Sequence, residues 1–315
     1  MTAEEPELPR GVALAWGVAA DPQRGPKREM SVERIVDVAV ELADSEGLGA
    51  VSMAAVASRL GFTPMSLYRY VSAKDDLLLL MQEQAIGLPP EPDADRDWRA
   101  RLRQLYSAQV AMFMAHPWVL SIPIEGSPVT PNGSAWLDAA LDALAATPLT
   151  SEERVAVALL IAGQARFCGV VMAGYADRMR ERGQAPDAVT AEEAALYDLL
   201  ISDVEFPALR AAVDAGAFAS DADPFRFGLE RCLDGVEAYV AALADGAPHA
   251  EPETWVEDDA AVQSDKRYRA AQKAVHEAQK AVREAQKALR SARKAEQQVR
   301  KEASERVARA QRDAS

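Results

Sequence analysis

Between Arg59 and Lys74 the chain carries three cations, Arg59, Arg69 and Lys74, and no acid. Within this window, Met65, Ser66, Tyr68, Arg69 and Tyr70 crowd around Leu67. On a helix turning about 100° per residue with Leu67 inward, Pro64, Tyr70 and Val71 fall near the inner side. Met65, Ser66, Tyr68 and Arg69 then fall outward or on the flanks. That is a poor solvent face and a good face for reading base edges. A guanidinium donates two hydrogen bonds to guanine, and an apolar group packs on a thymine methyl. Lys74 stands where a helix should start, so its ammonium and the free backbone amides converge on a point suited to a phosphate.

The flanking sequence supplies elements to hold that face. Ser31 caps a helix carrying Ile35, Ala39, Leu42 and Ala43, which Gly47 stops. Ser52 caps a short second helix ending at Leu60-Gly61. Thr63-Pro64 opens a third, to about Val71, with proline at its first position. Ser72-Ala73-Lys74-Asp75 reads as a capping box opening a fourth helix that runs through Leu77 to Ile86. Two short helices across a tight glycine turn form a helix-turn-helix, whose second helix enters the major groove.

Beyond a break at Gly87-Leu88-Pro89-Pro90, everything reads as helix. Segments are predicted at Trp98–His116, Ser134–Ala146, Thr150–Gly183, Thr190–Val204, Phe206–Gly216 and Asp223–Ala244, with a Pro- and Gly-rich loop from Ile122 to Gly133. No strand pattern appears. The fold class is therefore all-α: a DNA-binding domain with a helix-turn-helix at 31–86, a helical bundle at 97–244 and a long C-terminal helix. Residues 1–30, with Pro6, Pro9, Pro22 and Pro26, read as an irregular, flexible arm ending in the basic patch Arg24, Lys27 and Arg28.

Over Ser31–Ile86 the chain resembles the DNA-binding domain of the TetR family. The matching pieces are Glu46-Gly47-Leu48, Ser52-Met53, Ala57-Ser58-Arg59-Leu60-Gly61-Phe62, Met65-Ser66-Leu67-Tyr68-Arg69-Tyr70-Val71 and Lys74-Asp75-Asp76-Leu77-Leu78, in order and spacing. His116-Pro117-Trp118, Phe206-Pro207-Ala208-Leu209 and Phe227-Gly228-Leu229-Glu230 carry a weaker resemblance to the family's ligand-binding domain. The resemblance implies base reading by Pro64, Met65, Ser66 and Arg69. It implies phosphate contacts by Ser52, Thr63, Tyr68, Tyr70 and Lys74, and a groove-reaching arm at Arg24, Lys27 and Arg28. It further implies a cytoplasmic homodimer on a palindromic double-stranded operator, released by a small-molecule effector. Activation, effector-independent regulation and a helical scaffold are the alternatives. Met53-Ala54-Ala55 offers none of the arginine that many relatives place early in the second helix, so specificity should rest on the third helix and the arm. The effector candidates are Tyr106, Phe113, His116, Trp118, Trp136, Phe167, Met172 and Tyr175. Pro90 stands where the tetracycline repressor has a magnesium-binding His, which argues against a magnesium-drug complex. The dimer is expected on Thr150–Gly183 and Asp223–Ala244, with Leu229, Val236, Val240 and Leu243 as its stripe and Gly163, Gly169 and Gly174 allowing close approach.

Composition sets the outer limits. Two cysteines, Cys168 and Cys232, in 315 residues exclude a disulfide framework and fit a reducing compartment. No secretory signal is expected from the start Met1-Thr2-Ala3-Glu4-Glu5-Pro6. Val155–Gly174 is apolar, but Gln164 and Arg166 near its middle favour a buried helix over a membrane span. No phosphate loop, metal-ligand spacing or nucleophile elbow is present, so neither catalytic residues nor a metal or cofactor is expected.

The net charge of −14 is unevenly distributed. Residues 265–315 hold 15 Lys and Arg against 7 Asp and Glu, a balance of +8, which leaves −22 for residues 1–264. An acidic body with a local basic footprint still binds DNA, because phosphate contacts are local. After an acidic linker at 245–264, the 265–315 segment has no Gly or Pro. Tyr268, Val275, Val282 and Leu289 recur every seven residues, with Ala271, Ala278, Ala285 and Ala292 at the alternate seam positions. This predicts a long helix with a possible coiled coil, weakening after Leu289, where Glu296 takes the next seam position.

Overall fold

The computed structural model describes residues 8–18, 30–93, 95–124, 126, 129–183, 185–220, 222–251 and 260–313. Among these all regular structure is helical, and the chain divides into residues 1–248 and 249–315.

The first unit begins with a short helix, α1 (Arg10–Ala15), within the stretch expected to be an irregular arm. Its apolar run Gly-Val-Ala-Leu-Ala finds a surface to bury against on α5 (below), which the prolines on either side do not prevent. The basic patch at Arg24, Lys27 and Arg28 lies outside the described residues.

Four helices follow: α2 (Val32–Glu46), α3 (Met53–Leu60), α4 (Pro64–Leu67) and α5 (Lys74–Ile86). Ser31 Oγ accepts from Arg34 N at 3.2 Å, and Ser52 Oγ from Ala55 N at 3.1 Å, so both N-termini are capped as the sequence requires. Gly61 ends α3 at φ 78°, a left-handed conformation that costs glycine little. Ile35, Val51, Val56, Leu67, Val71, Leu77 and Met81 are almost free of solvent. At roughly 1.5–3 kcal/mol for each large side chain, that core fixes the angle between α3 and α4. Two details differ from expectation. The helical hydrogen bonding of α4 stops at Leu67, and Tyr68–Tyr70 form a turn. The start of α5 has no side-chain cap, because Ser72 Oγ donates instead to Asp76 Oδ2 at 2.8 Å.

The larger bundle comprises α6 (Trp98–Ala115), α7 (Pro131–Ala143), α8 (Ser151–Arg182), α9 (Pro186–Leu200), α10 (Pro207–Asp214) and α11 (Pro224–Ala244). Helices α7 and α9 start earlier than predicted because Pro131 and Pro186 occupy their first turns. A full capping box of Thr150 and Glu153 opens α8. Helix α8 packs along α6, and a Cβ at Gly169 would stand 2.9 Å from Phe113 Cβ. Gly169 therefore serves contact inside the chain, not the expected approach to a partner. Helix α11 is tied to α6 by Arg103, which grips Glu230 at 2.6 and 2.7 Å, and by Arg99, at 2.9 Å from Glu230 and also paired with Asp234 and Glu237. The Arg103 and Arg99 guanidiniums hold the Glu230 carboxyl down at about 2.

The second unit holds α12 (Ala260–Ser264) and α13 (Lys266–Asp313), a 48-residue helix.

Candidate nucleic-acid interface and effector domain

The α3-turn-α4 unit turns Leu67 fully inward and leaves Met65 73% and Tyr68 43% exposed. Arg69 is exposed in the turn after α4, with no acidic partner among the described residues. Thr63 Oγ1 and Ser66 Oγ lie 2.9 Å apart at the start of α4, beside exposed Pro64. Exposed Lys74 opens α5, but Asp75 and Asp76 share its first turn, so the local field is mixed. Ser52 Oγ is occupied by its cap, though its hydroxyl hydrogen is free to donate outward. Tyr70 departs from the rest: it is half-buried and packs against the core of the head. Pro64, Met65, Tyr68 and Arg69 are exposed and Ser66 is half-buried beside them, so this short segment can present an apolar patch, hydroxyls and one guanidinium to a groove.

The head is joined to the bundle by contacts that the sequence did not announce. Asp44 Oδ1, on α2, accepts from Trp118 Nε1 at 2.6 Å and lies 2.8 Å from His116 Nδ1. Glu83 Oε1, on α5, accepts from the Asn132 amide at 2.6 Å at the start of α7, and the Gly87 carbonyl accepts from Trp136 Nε1 at 3.0 Å. Helix α1 adds a strap. A Cβ at Gly11 would meet Asp76 Oδ1 at 2.9 Å, while Trp16 Nε1 donates to the Val129 carbonyl at 2.9 Å. Lone acids on helices and an apolar hexapeptide carry no periodic signal, so only packing reveals these joints.

These contacts divide the expected effector residues. Trp118 and Trp136 are buried, with their indoles committed to the head junction. Tyr106 and Phe113 are buried between α6 and α8, and burial, with a hydrogen bond to Cys168, pushes the Tyr106 phenol up. Tyr175 donates to Glu193 of α9 at 2.6 Å. Phe167 (61% exposed) and Met172 (42%) point away from the core. The candidates therefore do not line one cavity. An open apolar hollow is lined by Leu159, Leu160, Gly163, Gln164 and Phe167 on the outer face of α8.

The residues of the expected dimer stripe are divided in the same way. Leu229 is buried in this chain's own core, and Val236, Val240 and Leu243 pack against that core. Helix α11 packs against α8, with these three residues half-buried. Phe227, one helical step round, is 65% exposed instead. On α8 the outward set is Leu159, Leu160, Phe167 and Val170, with open space at Gly163 and Gly174. By length and composition α8 could span a membrane, and only 28% of its apolar window is buried.

Comparison with known proteins agrees with this architecture. Residues 35–81 match the family model "Bacterial regulatory proteins, tetR family", and residues 90–240 match "Tetracyclin repressor-like, C-terminal domain". The HTH-type transcriptional repressor DrrR1 of Streptomyces coeruleorubidus is 31% identical over 238 residues, covering 75% of this chain and 87% of its own. Apo ActR of Streptomyces coelicolor superposes with a TM-score of 0.54 at 25% identity, over 69% of this chain and 99% of ActR. ActR in complex with actinorhodin gives a TM-score of 0.55 at 26% identity, over 69% and 98%. With a matched helix-turn-helix head, a matched C-terminal bundle and a repressor relative of this identity, the chain belongs to the TetR family of transcriptional regulators.

Proposed function

We propose that the protein is a cytoplasmic, homodimeric repressor that binds a palindromic DNA operator and is released from it by a small-molecule effector. The observation carrying this reading is the set of exposed Met65, Tyr68 and Arg69, held on a buried core just after the glycine turn at Gly61. Arg69 reads a base pair, assisted by Pro64, Met65 and Ser66. Lys74, Ser52, Thr63 and Tyr68 hold phosphates, and the patch at Arg24, Lys27 and Arg28 extends the footprint. The partly buried Tyr70 has a packing role first.

Repression follows the DrrR1 relative, and an effector follows ActR, which binds actinorhodin. The dimer face is the exposed stripe of α8 together with Phe227 of α11, in place of the α11 residues that cover the core. A partner helix there explains an apolar, outward-facing α8 without a membrane, and a two-fold axis accounts for a palindromic site. Effector entry displaces the α6–α8 packing around Tyr106 and Phe113. The Asp44–Trp118 and Glu83–Asn132 joints then carry the change to the head.

The test is a set of affinities for an operator selected from random DNA and for its single-base variants. Arg69→Ala should flatten the preference at one base pair per half-site, a loss of about 1–3 kcal/mol of discrimination. Lys74→Ala should weaken all sequences alike and lower the salt slope by about one. An unchanged ranking of variants with Arg69→Ala rejects the assignment.

A further inference from the structure

Helix α13 lies beyond the matched family domains, which end at residue 240. Tyr268, Val275, Val282 and Leu289 are 37–56% exposed and lie seven residues apart along one face. Between them run Ala271, Ala278, Ala285 and Ala292, all exposed. The flanking seam positions carry Gln272, Gln279 and Gln286 on one side and Ala274, Ala281 and Ala288 on the other. From 268 to 292 the whole seam is thus uncharged, and every Lys, Arg, His and Glu of that segment lies on the remaining three heptad positions.

We propose that this face binds the same face of a second copy of the chain, in antiparallel orientation, as a close-packed two-helix coil. Charge selects the occupant. An acidic partner would be drawn to the basic outer faces, leaving the neutral seam bare. A second copy brings an equally neutral seam and turns both sets of cations to solvent.

Layer geometry selects the direction. In a parallel pair like positions meet, so Val–Val layers alternate with Ala–Ala layers. Wide layers hold the axes near about 10 Å, whereas alanine layers close only near about 8 Å, so a parallel pair leaves a void at every second layer. In an antiparallel pair centred between Ala278 and Val282, each large residue meets a small one. Tyr268 faces Ala292, Val275 faces Ala285, Val282 faces Ala278 and Leu289 faces Ala271. Each of the eight layers then pairs one large residue with one alanine, so no layer is wide on both sides or narrow on both sides. The flanks agree, because alanine meets alanine on one side and glutamine meets glutamine on the other. Opposed helix dipoles add a small favourable term. Beyond Ala292 the seam takes up Glu296, which ends the pairing.

The test uses the full chain with Cys232→Ser as background and two single variants, Ala271→Cys and Leu289→Cys, mixed under mild oxidation. Helix content and operator binding confirm that both variants fold. The expected result is a mixed disulfide between the two variants as the dominant product. It should be lost with an added Val282→Glu, which charges a central layer, and kept with Lys280→Glu, which lies on an outer face. Disulfides only between like variants would establish a parallel pair and overturn the proposal. So would no disulfide at all, or cross-linking that survives Val282→Glu.

Discussion

In residues 30–86, Ile35, Val56, Leu67, Leu77 and Met81 all turn inward, and the large apolar groups left in the open on α4 and its following turn, Met65 and Tyr68, belong to the proposed DNA face. On α8, by contrast, Leu159, Leu160, Phe167 and Val170 face outward in a helix that is apolar on nearly every side. The head is a closed object whose apolar pattern a single chain satisfies. The α8–α11 layer has two apolar faces, and one chain can cover only one of them. Exposed apolar surface therefore has different meanings in the two regions: a small patch set among hydroxyls and a guanidinium suits a nucleic acid, whereas a long stripe without polar partners suits another protein surface.

The largest effect should come from charging that stripe. In a chain ending at Val256, which cannot pair through α13, Phe167→Glu is expected to give folded monomers whose operator affinity falls by roughly a hundredfold or more, since two linked heads gain that much from binding together. Sedimentation and operator titration read both parts. A dimer that tolerates the glutamate would place the interface elsewhere and dissolve the contrast between the regions.

The bundle's own closure can be broken separately. Glu230→Gln loosens the hold of Arg99 and Arg103 on α11 and should cost about 1–2 kcal/mol at neutral pH, discounted for partial exposure. Because the folded carboxyl sits at about 2, below its usual 4.5, its contribution is complete above 4.5 and fades as pH falls toward 2. Denaturation of both proteins across that range should show the stability gap closing at the acid end. A gap independent of pH would mean that the carboxylate charge is not what binds α11.

The smallest effect is expected from removing the tail. A chain ending at Val256 should remain dimeric and keep its operator preference within about 0.5 kcal/mol, as changes remote from a binding site usually do. Loss of dimers on truncation would transfer the main interface from α8 to α13.

The helical periods, the caps at Ser31, Ser52 and Thr150, the glycine stop at Gly61 and the inward Leu67 are legible in the order of residues alone. These depend on neighbours within a few residues, and local hydrogen bonding and periodicity decide them. The heptads of α13 belong to the same class. Tertiary structure decided which of two apolar partners a stripe meets. Leu229, Val236, Val240 and Leu243 have the pattern of an interface, but a period reports only that a face is covered and not by which chain. It likewise decided that Gly169 receives Phe113, that Trp118 and Trp136 join the head to the bundle through Asp44 and Gly87, and that α1 straps α5. Each of those contacts joins residues far apart in the chain. Their chemistry is an ordinary hydrogen bond or a close approach, and nothing in the local sequence distinguishes it before the helices pack.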